Sequence, residues 1–240
     1  FTRFKTSWLS KEGVFAVLFY PFFLLYLLGV YVGGGSTPGW ALFFGVVAFF
    51  LAMVTLFSTG MIYASLKTIR QWSSPLVPVN YMTKAWSTGI LLLYAFGLAD
   101  LHPVGGMIAL AAALILLAAV VKSVYYFWIA QPAGPTINTA TGFTRARVQI
   151  LDPGHSYGTF LTHEFGYQPP AALAKALKVG VYVLTYALPL ILLWPAAEAP
   201  GSGVMWAAAI SALAGAAMER WLFFAEARHV VNLYHGAQTT

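Results

Sequence analysis

Cysteine is missing from all 240 residues, and charge nearly so, with only 8% Asp, Glu, Lys or Arg. The first absence removes disulfides, thiol nucleophiles and iron–sulfur ligation by this chain. Electrons that pass through its function must travel on a partner or on a bound small molecule. The second absence contrasts with about 25% charged residues in soluble domains, and 60% of the residues are hydrophobic. Such a chain is an integral membrane protein, and the fold class expected of it is all-α, a polytopic transmembrane helix bundle. No nucleic-acid partner is expected; the surrounding medium is the lipid bilayer.

The longest uncharged stretch runs from 13 to 66, 54 residues between Glu12 and Lys67, broken near its middle by Gly33-Gly34-Gly35-Ser36-Thr37-Pro38. Two spans joined by a turn return the chain to the face it left, which puts Glu12 and Lys67 on one side of the membrane. In all, six apolar segments reach the roughly 20 residues needed to cross: about 13–32, 38–66, 80–99, 103–130, 171–194 and 203–234. Ser10 is expected to cap the first helix, with Glu12 in its first turn near the positive helix end. Pro21 and Pro189 predict kinks inside spans.

Cations gather on one side. Arg3, Lys5 and Lys11 precede the first span, Lys67 and Arg70 follow the second, Lys84 lies early in the third, and Arg145, Arg147, Lys175 and Lys178 flank or occupy the long fourth connection. The opposite side has Asp100, His102 and Glu198. The positive-inside rule then places both ends of this chain and the 131–170 loop in the cytoplasm. That loop is rich in Pro and Gly but also in Phe143, Leu151, Tyr157, Phe160 and Phe165, which argues against disorder and for a segment lying on the membrane surface or on a partner.

Ionisable residues within spans cost about 2.5–3.5 kcal/mol each to insert, so each is a functional candidate. Lys122 and Glu219 come at similar depths, counted at about 1.5 Å per residue from the same face, and a structural ion pair between them, or between Lys122 and Glu226, is expected. Arg220, Glu226, Arg228 and His229 read as a charged continuation of the last helix into water or against a partner, or as a proton path. The histidines do not offer two ligands at matching depth on facing helices, so no haem is expected. His155 and His163 share the loop with Asp152 and Glu164 without a recognised metal pattern; no metal site is expected.

The neighbourhood of Glu12 carries more chemistry. A quinone needs hydrogen-bond partners for two carbonyl oxygens, a proton route and a flat apolar slot. Glu12 can exchange protons, Tyr63, Lys67 and Arg70 can donate hydrogen bonds, Ser10 adds a hydroxyl, and Trp8 can form a wall. The competing reading is an ordinary aromatic belt of Trp8, Tyr63 and Trp72, with Glu12 complementing a helix dipole.

The runs Ser7-Trp8-Leu9-Ser10-Lys11-Glu12-Gly13, Gly60 through Trp72, Pro75-Leu76-Val77-Pro78, Gly142 to Tyr167 and Glu219 through Val231 resemble, in order, the membrane anchor subunit of the dimethyl sulfoxide reductase family, closest to the branch serving membrane-bound sulfite-oxidising enzymes. The resemblance implies a haem-free anchor in the bacterial inner (cytoplasmic) membrane. Its partners would be a ferredoxin-like iron–sulfur subunit and a molybdopterin catalytic subunit, which alone carry molybdopterin and clusters. Electrons would pass between the nearest cluster and a quinone, ubiquinone or menaquinone, bound in the anchor. Sulfite oxidation with quinone reduction is favoured over a quinol-oxidising sulfoxide-type reductase; a transporter or channel and a purely structural tether are the readings from other classes. Glu12 falls on a family quinone-site position, whereas Lys67 and Arg70 follow from proximity. Arg145, Arg147, Arg228 and His229 are the expected partner-docking residues. The family pattern also implies eight spans in the intact protein, two of them upstream of Phe1 with a His-Leu-Gly-type motif.

Overall fold

A computed structural model describes residues 3–34, 36–98, 106–131, 134–143, 145–152, 167–194 and 201–239. All regular structure among them is helical, apart from two isolated β-bridges. The helices are α1 (Trp8–Val32), α2 (Gly39–Ala64), α3 (Leu76–Ala95), α4 (Gly106–Ala130), α5 (Ile137–Thr141), α6 (Ala171–Tyr182), α7 (Leu188–Leu193) and α8 (Gly203–Ala225). A π-helical turn, Val183–Ala187, joins α6 to α7, and a 3-10 helix, Val230–His235, follows α8. The chain forms two units, one of residues 1–65 with 75–82 and one of 66–74 with 83–240.

The first unit is the expected hairpin. Its first helix starts earlier than the apolar pattern suggests: Ser7, not Ser10, is the N-cap, its hydroxyl accepting from the Ser10 N–H at 3.4 Å. Glu12 therefore sits in the second turn, where it no longer serves the helix dipole. Gly29 is the buried residue of α1, while Leu24, Leu27, Leu28 and Tyr31 face outward. In water that distribution would be inverted; against lipid tails the apolar side chains can stay outside, and small residues bring the backbones together. A Cβ added at Gly29 would lie 2.2 Å from the Ala41 Cβ and 2.9 Å from the Trp40 ring.

The second unit packs on heptad-like seams. On α8 the buried residues Met205, Ala208, Ala212, Gly215, Glu219 and Leu222 follow alternating steps of three and four. On α4, Ala111, Ile115, Ala118, Lys122 and Tyr125 do the same. Such spacing keeps one stripe of a helix against its neighbours, so Glu219 and Lys122 occupy core positions by register. Among the described residues five helical runs are long and apolar enough to cross a bilayer: α1, α2, α4, α6 with α7, and α8. The remaining expected span, 80–99, falls largely on α3, a 20-residue helix whose Asn80, Thr83, Lys84, Ser87 and Thr88 make it more polar than those five.

One further expectation needs correction. The last helix does not run to 234: it ends at Ala225, with Glu226 as its C-cap. The chain then turns back, the Val230 N–H donating to the Thr68 carbonyl at 3.0 Å and Ile69 pairing with His229 in an antiparallel bridge. His229 caps the 3-10 helix instead, its Nδ1 accepting from the Val231 N–H at 3.0 Å. Within the 131–170 loop, Thr136 and Thr139 close a reciprocal capping box that nucleates α5, a signal too short to show in hydropathy. Just before Pro189, where a kink is expected, the helix carries the π turn, in which the Leu188 N–H reaches the Val183 carbonyl. Asp100, His102, His155, His163, Glu164 and Glu198, for which the sequence also carries expectations, lie outside the described residues.

Gly29→Ala should destabilise the hairpin by about 1–3 kcal/mol, the cost of overpacking, because the group it meets is another Cβ rather than a flexible tip. Unfolding of the purified protein in a denaturing detergent series measures it; a neutral result would mean the two helices are free to separate at that point.

Candidate functional site

Two polar constellations stand out, one in each unit. In the first, Trp8 and Glu12 lie one turn apart on α1, and Thr55, Thr59 and Tyr63 form a stripe at intervals of four on α2. The Thr59 hydroxyl donates to Glu12 Oε1 at 2.5 Å and is also 3.0 Å from the Thr55 carbonyl. One hydroxyl hydrogen serves one acceptor at a time. With Glu12 ionised it belongs to the carboxylate; with Glu12 protonated the acid can donate to Thr59, whose hydrogen then turns to Thr55. Glu12 can thus change protonation without orphaning a partner.

Aromatic rings lie one turn along each helix from this pair, Trp8 before Glu12 and Tyr63 after Thr59. Trp8 meets Phe57 edge-on with centroids 5.9 Å apart, and the Lys11 ammonium stands 4.0 Å from the Trp8 ring centre. Tyr63 stacks on Tyr81 of α3 at 6.1 Å. That approach of α3 to α2 depends on Gly60, where a Cβ would lie 2.4 Å from the Pro78 Cα. Ser10 contributes its backbone N–H to the Ser7 cap. Of the expected quinone-site residues, then, Trp8, Ser10, Glu12 and Tyr63 belong to this unit, while Lys67 and Arg70 belong to the other.

Arg70 has a clear local task. Its two terminal nitrogens donate to the carbonyls of Gln131 at 2.7 Å and Trp128 at 3.3 Å, closing the end of α4 where carbonyls lack helical partners. Its neighbours do likewise. Gln71 accepts the Tyr125 hydroxyl on its carbonyl at 3.0 Å and the Arg228 N–H on its side chain at 3.2 Å. Trp72, read from sequence as belt, is buried, stacked on Phe223 at 5.5 Å, and donates its indole N–H to the Phe223 carbonyl at 2.9 Å. The Arg70-Gln71-Trp72 run thereby staples the ends of α4 and α8. Lys67 is exposed, as are Arg145, Arg147 and Arg228.

The second constellation is the ion cluster on the seams. Lys122 Nζ lies 2.6 Å from Glu219 Oε1, the pairing expected from their depths, and Lys122 is 2% exposed. A third member went unrecognised in the sequence: Lys84 contacts the other carboxylate oxygen of Glu219. Its signal was present, since Lys84 lies seven residues from each of the buried Val77 and Leu91, on their helix track. Rings of Tyr125 and Tyr126 stand 4.4 and 4.6 Å from Lys122 Nζ and solvate it in place of water. Glu226 pairs with Lys178 at 2.5 Å rather than with Lys122. Arg220 lies 5.0 Å from the Phe223 ring.

Residues 1–225 match the model of the DMSO reductase anchor subunit, DmsC. The chain belongs to that family. It is a membrane anchor subunit, and the family resemblance carried by the Trp8–Glu12 and Lys67–Trp72 motifs is correct. Among curated proteins it is similar to a subunit of the sulfite dehydrogenase of Allochromatium vinosum, 27% identical over 244 aligned residues that cover 96% of this chain and 74% of that protein. No solved structure matches.

The anchor's ion cluster should show an order of effects. Glu219→Gln leaves two buried ammonium groups facing each other and should destabilise by about 3–5 kcal/mol, as expected for breaking a buried pair. Lys84→Met leaves a one-to-one pair and should cost clearly less. Unfolding midpoints of the two variants measure this; a reversed order would mean that the two lysines do not share the carboxylate.

Proposed function

We propose that this anchor is the quinone-reactive subunit of a membrane-bound molybdoenzyme, passing electrons between a ferredoxin-like iron–sulfur partner and the quinone pool. Sulfite oxidation is the favoured overall reaction, supported by the similarity to a sulfite dehydrogenase subunit. On that reading a molybdopterin catalytic partner oxidises sulfite and the iron–sulfur partner relays two electrons. Quinone takes up those two electrons and two protons in this subunit to become quinol. The complex sits in the bacterial inner membrane, with the partners docked on the basic, cytoplasmic face that holds Arg145, Arg147 and His229.

The observation that carries the reading is the Glu12–Thr59 pair. A quinone headgroup needs a group that gains and loses a proton beside an aromatic wall, and Glu12 has a hydroxyl partner that follows its protonation state, with Trp8 one turn away. Glu12 would hold the proton at its carboxyl, Thr59 keeps the carboxyl hydrogen-bonded in both states, and Trp8 and Tyr63, each one helical turn from this pair, would offer flat faces to a quinone ring. The absence of cysteine fits the same division of labour, with every cluster carried by a partner. Arg70, engaged on the end of α4, serves this reading by holding the fold rather than by touching quinone.

Glu12→Gln keeps the shape and removes the titrating proton. In the assembled complex it should lower quinone-linked turnover by about 100-fold or more, the usual weight of a positioned acid–base group, while turnover with an artificial dye that takes electrons upstream stays unchanged. Thr59→Val should slow the same activity by about tenfold, for the loss of one hydrogen bond to a charged group. Wild-type quinone turnover in Glu12→Gln would remove Glu12 from the reaction.

A further inference from the structure

We propose that a cavity at the end of the second unit binds the phosphodiester headgroup of an anionic phospholipid. This site is independent of the quinone reading and lies entirely within residues 66–74 and 83–240. Its volume is about 980 Å³, at the upper end of the range of about 300–1,000 Å³ typical of ligand sites. It opens where α4 and α8 end and α6 begins, with Ile129, Ala130, Ala171, Ala174 and Ala225 in its wall. Three membrane-crossing runs therefore meet the interface around it.

Its charge is one-sided. Among the described residues, Arg70, Lys175, Lys178 and Arg228 line it against one carboxylate, Glu226, a formal excess of three positive charges from four cations and one anion. The cations differ in their commitments. Lys178 is held by Glu226 and Arg70 by the carbonyls at the end of α4. Lys175 and Arg228 have no carboxylate within ion-pair distance among the described residues. Two cations without a carboxylate partner among the described residues, beside two that are anchored, make a site for an anion.

The wall says which kind of anion. A free phosphate or an acidic peptide would use the cations and leave the Ile129 and alanine side without a partner. A phospholipid uses both, with its phosphodiester among the cations and its acyl chains along the apolar helix ends. Tyr167, also in the wall, packs edge-on against Trp221 at 6.3 Å, an aromatic pair of the kind that settles at headgroup level. Basic pockets between spans are suited to anionic headgroups for these reasons.

The test uses the purified complex, stripped of lipid in detergent and titrated by native mass spectrometry. Phosphatidylglycerol should bind saturably and at least about tenfold more tightly than phosphatidylcholine. Replacing both free cations, Lys175→Gln with Arg228→Gln, should lower phosphatidylglycerol affinity by about 30-fold, at the usual worth of two interfacial cations, and leave phosphatidylcholine binding unchanged. Lys175→Arg should retain wild-type affinity, and an unaltered helical circular dichroism spectrum confirms folding. Equal binding of the two lipids, or no effect of the double substitution, overturns the proposal. Inorganic phosphate competing as effectively as phosphatidylglycerol would make this a soluble-anion site. A double variant that binds lipid normally but loses its partner subunits would assign the cations to a protein partner.

Discussion

A carboxylate sunk among helices has no water to lean on, and Glu219 takes two ammonium groups in its place. Each comes from a different helix, Lys84 from α3 and Lys122 from α4, so one side chain of α8 ties together three elements of the second unit. Packing in lipid lacks the hydrophobic drive that assembles soluble bundles. Small residues such as Ala111, Ala118, Ala208 and Ala212 let these helices approach, but apolar contacts of that kind tolerate sliding. A three-membered ion cluster does not, because a slip of one turn would strand charges in hydrocarbon at several kcal/mol apiece. Register in this unit follows from charge, and the alanine seams follow from register.

The same scarcity of polar groups governs the helix ends. Carbonyls at the close of α4 and α8 meet Arg70 and Trp72 instead of solvent, and the returning C-terminal segment pairs with 68–71. The short run between α2 and α3 therefore acts as a structural clasp in its own unit. In the other unit Glu12 has a different style of partner, a hydroxyl and not a cation. Glu219 is locked by two opposite charges and suits a fixed strut. Glu12 is held by a hydroxyl that can either donate or accept, a partner that fixes no charge at its carboxyl.

Helix content, the hairpin and the Lys122–Glu219 pair were legible in the sequence because each rests on a one-dimensional signal: a 54-residue uncharged stretch, a turn-forming run and residue counts of depth. Lys84 was not, since a lysine near the start of an apolar segment looks like a flank; only its seven-residue spacing from Val77 and Leu91 marks it as inward. The end of α8 was also hidden. Val230 to Tyr234 is as apolar as a helix needs, and what stops the helix at Ala225 is pairing with residues about 160 positions earlier in the chain. Trp72 misled for a related reason, its indole serving an orphan carbonyl rather than a membrane surface. Pattern reads local periodicity well and distant hydrogen bonds not at all.

The π turn at Val183–Ala187 has a meaning for the lineage as well as for the fold. A π turn is, in effect, one extra residue absorbed by an α-helix without moving its ends. Residues before it, such as Lys178 and Tyr182, and those after it, such as Pro189 and Leu193, therefore face directions that differ by about 100° from an uninterrupted helix. A relative without the insertion would carry a single-residue gap here, and placing that gap one turn away would mismatch every inward-facing position between the two. The turn marks where homologous spans should be cut and rejoined before their buried faces are compared.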